Sequence, residues 1–278
     1  MTPDPRFIKL PKSFWAFVRL IGQECGYTER GRGEILVPSR EQVESRLEKI
    51  DIAPEALTRE LPGGVSIWDR LAAYFEYRAD ILHRQVEPSL MDAEGARREY
   101  ESLKKKLKPK CPLPMNKQRG TKKAPAYFTC MINMLIEAAA KGKDCDYDPR
   151  ALTTVTSNRV PLRTFPRRMD GAFPSVVNPI AVWEIKEYYY TTTFGSRVAD
   201  GVYETLLDGM EIEELATAEG IDILHYLMID AHYTWWECGK SYLCRIVDML
   251  HMGYVDEVLV GREIFSRLPS LVNSWVKR

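Results

Sequence analysis

The sequence predicts an α/β protein with an all-helical N-terminal region, and three observations carry that reading. Residues 1–103 place apolar side chains at helical spacing and contain no strand-like run. Residues 104–124 are basic and interrupted by proline. From residue 125 onward, helical and extended patterns alternate in the order helix, three strands, helix, strand, helix, strand, helix. That alternation is the pattern of a sheet covered by helices.

The N-terminal region reads as four helices. KSFWAFVRLIGQE (12–24) repeats apolar positions at helical spacing. Ser39 suits an N-cap for REQVESRLEKI (40–50). Ser66 opens IWDRLAAYFEYRADILHRQV, where Ile67, Leu71, Tyr74 and Tyr77 recur at intervals of three and four. A very polar helix covers 92–107, and there is no internal repeat.

The segment KKKLKPKCPLPMNKQRGTKK (104–123) holds nine basic residues and no acid. Its three prolines and one glycine argue against regular structure. Two readings stand side by side. One is a solvated linker. The other is a phosphate-binding segment, with Lys117, Arg119, Lys122 and Lys123 as contacts.

PAYFTCMINMLIEAAA (125–140) reads as a mostly apolar helix, with Pro125 well placed at its start. Thr129, Asn133 and Glu137 fall at i, i+4 and i+8 and form one narrow polar stripe. Strand candidates follow at 151–156, 161–173 and 180–190. A helix runs from Ser196 through SRVADGVYETLLDG, then come a strand at 222–230, a helix at 236–252, a strand at 255–260 and a last helix to 276.

Composition bounds the chemistry. Apolar residues make up 45% and charged residues 28% of 278, enough for a sizeable core. Lys plus Arg equals Asp plus Glu, 39 each, so only local charge clusters speak of partners. The opening MTPDPRFIKLPKSFWAFVRLIG carries an early acid, Asp4, and early prolines, and Arg19 breaks its apolar run, which argues against a signal peptide. No run approaches the roughly 18 apolar residues of a membrane span. A cytoplasmic protein without membrane contact is expected. Six scattered cysteines without a CxxC pair, and only four histidines, argue against disulfide, zinc and iron–sulfur frameworks. No GxxxxGKS/T loop supports ATPase activity, and no GxSxG elbow supports a serine hydrolase.

The chemistry-bearing stretch is IAVWEIKEYYYTTTF (180–194). It starts as a buried strand, then places Glu184 and Lys186 two apart, on the face shared with Ile180 and Val182. An unpaired buried charge costs about 3–5 kcal/mol, so the face must open or bind something there. Asp170 lies 14 residues upstream, before Gly171, and an antiparallel return would set it beside Glu184. Two carboxylates about 4 Å apart repel by roughly 4 kcal/mol at an effective dielectric of 20. A divalent cation removes that repulsion, and oxygen-only ligands suit Mg²⁺. Such a cation activates water for attack on phosphorus, with Lys186 orienting it or neutralising charge. The alternative is an edge strand on which Glu184 and Lys186 are solvated or merely paired.

Asp170 followed by Glu184-Ile185-Lys186 on the next strand resembles the signature of the PD-(D/E)XK nucleases, the fold family of many type II restriction endonucleases. The resemblance spans about 125–260. It implies a restriction-endonuclease-like mixed central sheet flanked by helices, with 125–278 as the catalytic domain, 104–124 as a linker and 1–103 as a helical clamp or dimerisation region. It further implies Asp170 and Glu184 as Mg²⁺ ligands, Lys186 as the assistant of the nucleophile, and Glu137 as an additional acid from the preceding helix. The substrate would be double-stranded DNA, cut by a homodimer. A cognate methyltransferase would belong to the same system without being bound. A partner-dependent repair or phage-defence nuclease and a non-catalytic nucleic-acid-binding module are the alternatives. Two features depart from the pattern: Met169, not proline, precedes Asp170, and the Gln and Tyr pair of the RecB-like branch is missing.

Further contacts fit the same reading. Arg159, Arg163, Arg167 and Arg168 flank Asp170 and form a candidate phosphate track. Tyr188, Tyr190 and Arg197 follow the motif and offer aromatic faces and a cation, against ordinary strand packing. Asp230, His232 and Tyr233 end a strand, and His232 is read as structural. Trp235 and Trp236 are read as core or interface, and Lys240, Ser241 and Arg245 as a solvated helix face.

Overall fold

A computed structural model describes residues 1–29, 33–118, 121–191 and 195–278, without the side chains of residues 117, 118, 121–123 and 197. In chain order the elements are α1 (Lys12–Glu24), α2 (Arg40–Lys49), the short pair β1 (Glu60–Leu61) and β2 (Val65–Ser66), and α3 (Ile67–Ile81). After them come α4 (Glu87–Ser89), α5 (Ala93–Leu107), β3 (Met115–Gln118), β4 (Thr121–Pro125), α6 (Tyr127–Ala140) and β5 (Asp146–Tyr147). Next are β6 (Thr154–Ser157), β7 (Val160–Thr164), β8 (Gly171–Phe173), β9 (Ala181–Glu187) and α7 (Ser196–Glu219). The chain closes with β10 (Leu224–Asp230), α8 (Lys240–His251), β11 (Glu257–Val260) and α9 (Glu263–Trp275).

The helix starts follow from local chemistry. The Ser39 hydroxyl accepts from the Gln42 N–H while the Gln42 side chain accepts from the Ser39 N–H, a reciprocal capping box. Ser66 and Asp92 cap α3 and α5 by accepting from Asp69 N–H and Gly95 N–H. The helix α3 continues through a π turn at Leu82–Val86.

Among the described residues, five strands form the central sheet in the order β11-β10-β9-β8-β5. β11, β10 and β9 run parallel, while β8 is antiparallel to both β9 and β5. One face packs Phe173, Trp183, Tyr226, Met228 and Leu259 against α5, α6 and α9. The other packs Ala172, Val182, Leu227 and Ile229 against α7 and α8. The helices α1 to α3 enclose a separate aromatic-rich core around Phe14, Trp15, Tyr74 and Phe75.

Several expectations change. The basic segment contains the β3–β4 hairpin, although regular structure was not expected there. The helix expected over 92–107 is present as α5, but it packs on α6 as part of the α/β core and not with the N-terminal helices. The strands expected at 151–156 and 161–173 do not both enter the sheet. β6 and β7 form a hairpin of their own, turned by Asn158 and Arg159, both at positive φ, with Pro166 lacking the N–H to extend it. The sheet's first strand is instead the two-residue β5. The helix expected to end at Gly209 runs ten residues further, to Glu219, and stops at the left-handed Gly220. Gly209 lies mid-helix because a Cβ there would sit 2.2 Å from the Tyr254 carbonyl oxygen.

Candidate active site

β9 is a central strand, flanked by β8 and β10. The edge-strand alternative is therefore excluded, and Glu184 and Lys186 are buried, at 1% and 9% exposure. Strand periodicity sends Val182, Glu184 and Lys186 towards α7, and Ala181, Trp183, Ile185 and Glu187 towards α6 and α9. Gly171 allows this register, since a Cβ on it would lie 2.1 Å from the Trp183 ring.

Asp170 precedes the first paired residue of β8. Its N–H donates to the Trp183 carbonyl at 3.1 Å, and its Oδ2 accepts from the Ile185 N–H at 2.7 Å. The side chain thus takes over the β9 donor that the departing strand leaves unpaired. Across the face, Lys186 Nζ donates to Glu184 Oε2 at 2.5 Å. Arg167 Nη2 reaches Glu184 Oε1 at 3.3 Å and also bonds the Asp208 carboxylate, while its Nη1 pairs with Glu204 at 2.9 Å. Glu204 Oε2 is 3.9 Å from Lys186 Nζ. Gly201 lets α7 close over Lys186, since a Cβ there would meet the Lys186 Cδ at 3.3 Å.

Among the described residues, the cluster therefore sets four carboxylates (Asp170, Glu184, Glu204, Asp208) against two cations (Arg167, Lys186). Burial, reinforced by the Glu184 charge, pushes the Asp170 carboxyl up to about 6. Burial also raises Glu184 and Asp208, against the pull of Lys186 and Arg167. For Lys186 burial acts downward, but the charges of Glu184 and Asp170 outweigh it and the ammonium is held more firmly. Oxygen-only donors with two negative charges in excess suit a divalent cation, and Asp170 and Glu184 could hold one. Among the described residues, no three His, Cys, Asp or Glu side chains are grouped to hold a metal ion. Both Glu184 oxygens are instead engaged by Lys186 and Arg167.

Not every expected residue arrives here. Glu137 is on the other side of the sheet, on α6, where its carboxylate accepts from the Lys110 N–H at 3.0 and 3.2 Å. Arg163 is turned to α7 and pairs with Glu211 and Glu214. Arg167 is committed to acids, and only Arg159, at the β6–β7 tip, and Arg168 are exposed. Tyr188 packs on Trp235 at 5.8 Å, and Tyr190 is exposed. The side chains of Lys117, Lys122, Lys123 and Arg197, and all of Arg119, lie outside the described residues.

Glu204 and Asp208 were missed. Their signal is the i, i+4 spacing of acids on α7, which places both on one helix face. A second acidic pair lies on the opposite face of the sheet. Glu187 accepts from Phe128 N–H and the Thr129 hydroxyl at the start of α6, and burial pushes it up to about 7. Asp230 accepts from Met91 N–H, Ala231 N–H and the Tyr189 hydroxyl, and burial likewise brings it to about 7. These two carboxylates tie the sheet's end to the loops entering α5 and α6.

Two family models match the chain. Domain of unknown function (DUF7690) matches residues 1–85, and Domain of unknown function (DUF7687) matches residues 91–275. No curated protein and no solved structure matches the chain. The boundary between the two matches falls just before α5, at the point where the helical core of α1 to α3 gives way to the sheet. Over the part that contains the sheet and the Asp170, Glu184 and Lys186 cluster, the chain belongs to the DUF7687 family.

Proposed function

We propose that the chain is a Mg²⁺-dependent endonuclease acting on double-stranded DNA in the cytoplasm, on a PD-(D/E)XK-type core of the restriction-endonuclease kind. The observation that carries the reading is the convergence of Asp170, Glu184 and Lys186 at one buried point where β8 parts from β9. The order of elements supports it: α6, the antiparallel β5, β8 and β9, then α7 and a β10 parallel to β9. Asp170 and Glu184 would hold Mg²⁺, which supplies Lewis acidity towards a phosphodiester. Lys186 keeps its proton and presents a positive charge beside the reacting phosphate. The exposed Arg159 and Arg168, and the basic residues 104–123, would take the DNA backbone. A homodimer would supply one site per strand, and a methyltransferase of the same system would protect host DNA.

The 2.5 Å Glu184–Lys186 pair favours one other reading, a nucleic-acid-binding module in which these residues only neutralise each other. Incubation with methylation-free plasmid and phage DNA, in Mg²⁺ or EDTA, separates the two. Discrete Mg²⁺-dependent fragments that disappear in Glu184→Ala and Lys186→Ala support the nuclease. Smearing, or cutting only with a partner protein, points to a repair or defence nuclease. Intact DNA with metal-independent, salt-sensitive binding supports the module.

A further inference from the structure

Resting on the reading of Asp170 and Glu184 as a cation site, we propose that Arg167 is an internal counter-ion. A divalent cation displaces it from Glu184, and Asp208 and Glu204 on α7 retain it. The guanidinium is shared unequally. Its Nη2 and Nε both face the Asp208 carboxylate, its Nη1 is 2.9 Å from Glu204, and its one contact with Glu184 is 3.3 Å long. A planar fork that already bonds two α7 carboxylates through Nη1, Nη2 and Nε loses a single 3.3 Å contact when it lets go of Glu184. Asp208 is 1% exposed, so an arginine parked there still neutralises a buried acid.

The arrangement solves a problem that the cluster poses. Glu184 is 1% exposed, and the half-buried Asp170 carboxylate sits on the N–H of the next residue, Ile185, so two like charges lie close together. Arg167 supplies positive charge when no metal is bound, without blocking the site permanently. The hand-over makes Arg167 a positioning residue and Asp208 its seat. The competition is local: it requires the guanidinium to be on Glu184 itself, and not merely a positive charge somewhere on the surface.

The test is Mn²⁺ binding to the full-length chain by titration calorimetry at pH 8, without DNA, with thermal melting to verify folding. Arg167→Met should bind Mn²⁺ at least tenfold more tightly than the unaltered chain. Arg163→Met removes an equal charge facing the same helix but not Glu184, and should stay within twofold. Asp208→Asn frees Arg167 to settle on Glu184 and should weaken Mn²⁺ more than Glu204→Gln, which removes the same charge. If Arg167→Met fails to fold, the Asp208→Asn and Glu204→Gln comparison decides alone. Equal weakening by those two, an Arg167→Met affinity within twofold of the unaltered chain or matched by Arg163→Met, or no Mn²⁺ binding in any variant would overturn the hand-over. DNA cleavage is scored separately. Tighter Mn²⁺ binding without cleavage keeps the hand-over and removes the nuclease reading, and cleavage with unmoved Mn²⁺ affinity does the reverse.

Discussion

Arg78 on α3 and Asp248 on α8 form a buried ion pair, with Nη1 at 3.0 and 3.2 Å from the two carboxylate oxygens. Tyr74 donates to the same carboxylate at 2.7 Å, and the Arg78 guanidinium lies over the rings of Tyr27 and Phe75. The pair joins the segment matching one family model to the segment matching the other. Breaking one partner leaves an uncompensated buried charge, which costs about 3–5 kcal/mol. Arg78→Met and Asp248→Asn should each lower the urea midpoint accordingly, whereas the double variant should lose much less than the sum. Additive losses would show that the two residues are not coupled.

The pH dependence of stability follows from Asp230, Glu187 and Asp170. All three carboxyls are raised in the folded chain, to about 7, about 7 and about 6. Between their ordinary values near 4 and these raised values, the folded state binds more protons than the unfolded one. Stability is therefore fully present below about pH 4 on their account and falls as pH rises towards 7. Each tenfold difference in proton affinity between the folded and unfolded chain is worth about 1.4 kcal/mol. The metal-free chain should melt at a higher temperature at pH 5 than at pH 8. Asp230→Asn should flatten that slope and melt above the unaltered chain at pH 8, because the amide oxygen can still accept from Met91 and Ala231. A flat profile in the unaltered chain would contradict the burial argument.

Much of the fold was legible in the sequence, and the reasons differ by element. Ser39, Ser66 and the apolar repeat of 12–24 announce their helices because capping and periodicity are local. Glu184 and Lys186 were legible because a strand's period of two decides which residues share a face. Glu137 was misplaced because a polar stripe reveals a helix face but not the layer it meets. The partners of Arg163 and Arg167 lie 37 to 51 residues away on α7, beyond any local pattern. The β6–β7 hairpin was hidden because Asn158-Arg159 makes its turn without a glycine.

Gly209 illustrates a residue whose reason is tertiary. A Cβ there would lie 2.2 Å from the Tyr254 carbonyl oxygen and 2.7 Å from its Cβ, so backbone would have to move. Overpacking of this kind costs about 1–3 kcal/mol. Gly209→Ala should therefore destabilise the chain despite the better helix propensity of alanine. A rise in melting temperature would show that α7 can shift away from Tyr254 at no cost.

Gly201, two turns earlier on α7, should behave in the opposite way. A Cβ there would lie 3.0 Å from the Tyr188 hydroxyl and 3.3 and 3.4 Å from Cδ and Cε of Lys186. These are ends of flexible side chains, so they can yield by a few tenths of an ångström, and alanine gains about 1 kcal/mol of helix propensity over glycine. Gly201→Ala should keep or slightly raise the melting temperature while pushing the Lys186 ammonium off its 2.5 Å contact with Glu184. If Lys186 acts on the reacting phosphate, DNA cleavage should fall by roughly tenfold or more, because small displacements at a reacting centre are costly. Folding and activity would then move apart in one variant. Cleavage unchanged at unchanged stability would mean that the position of the ammonium does not matter, and would return Lys186 to the role of a neutralising partner for Glu184.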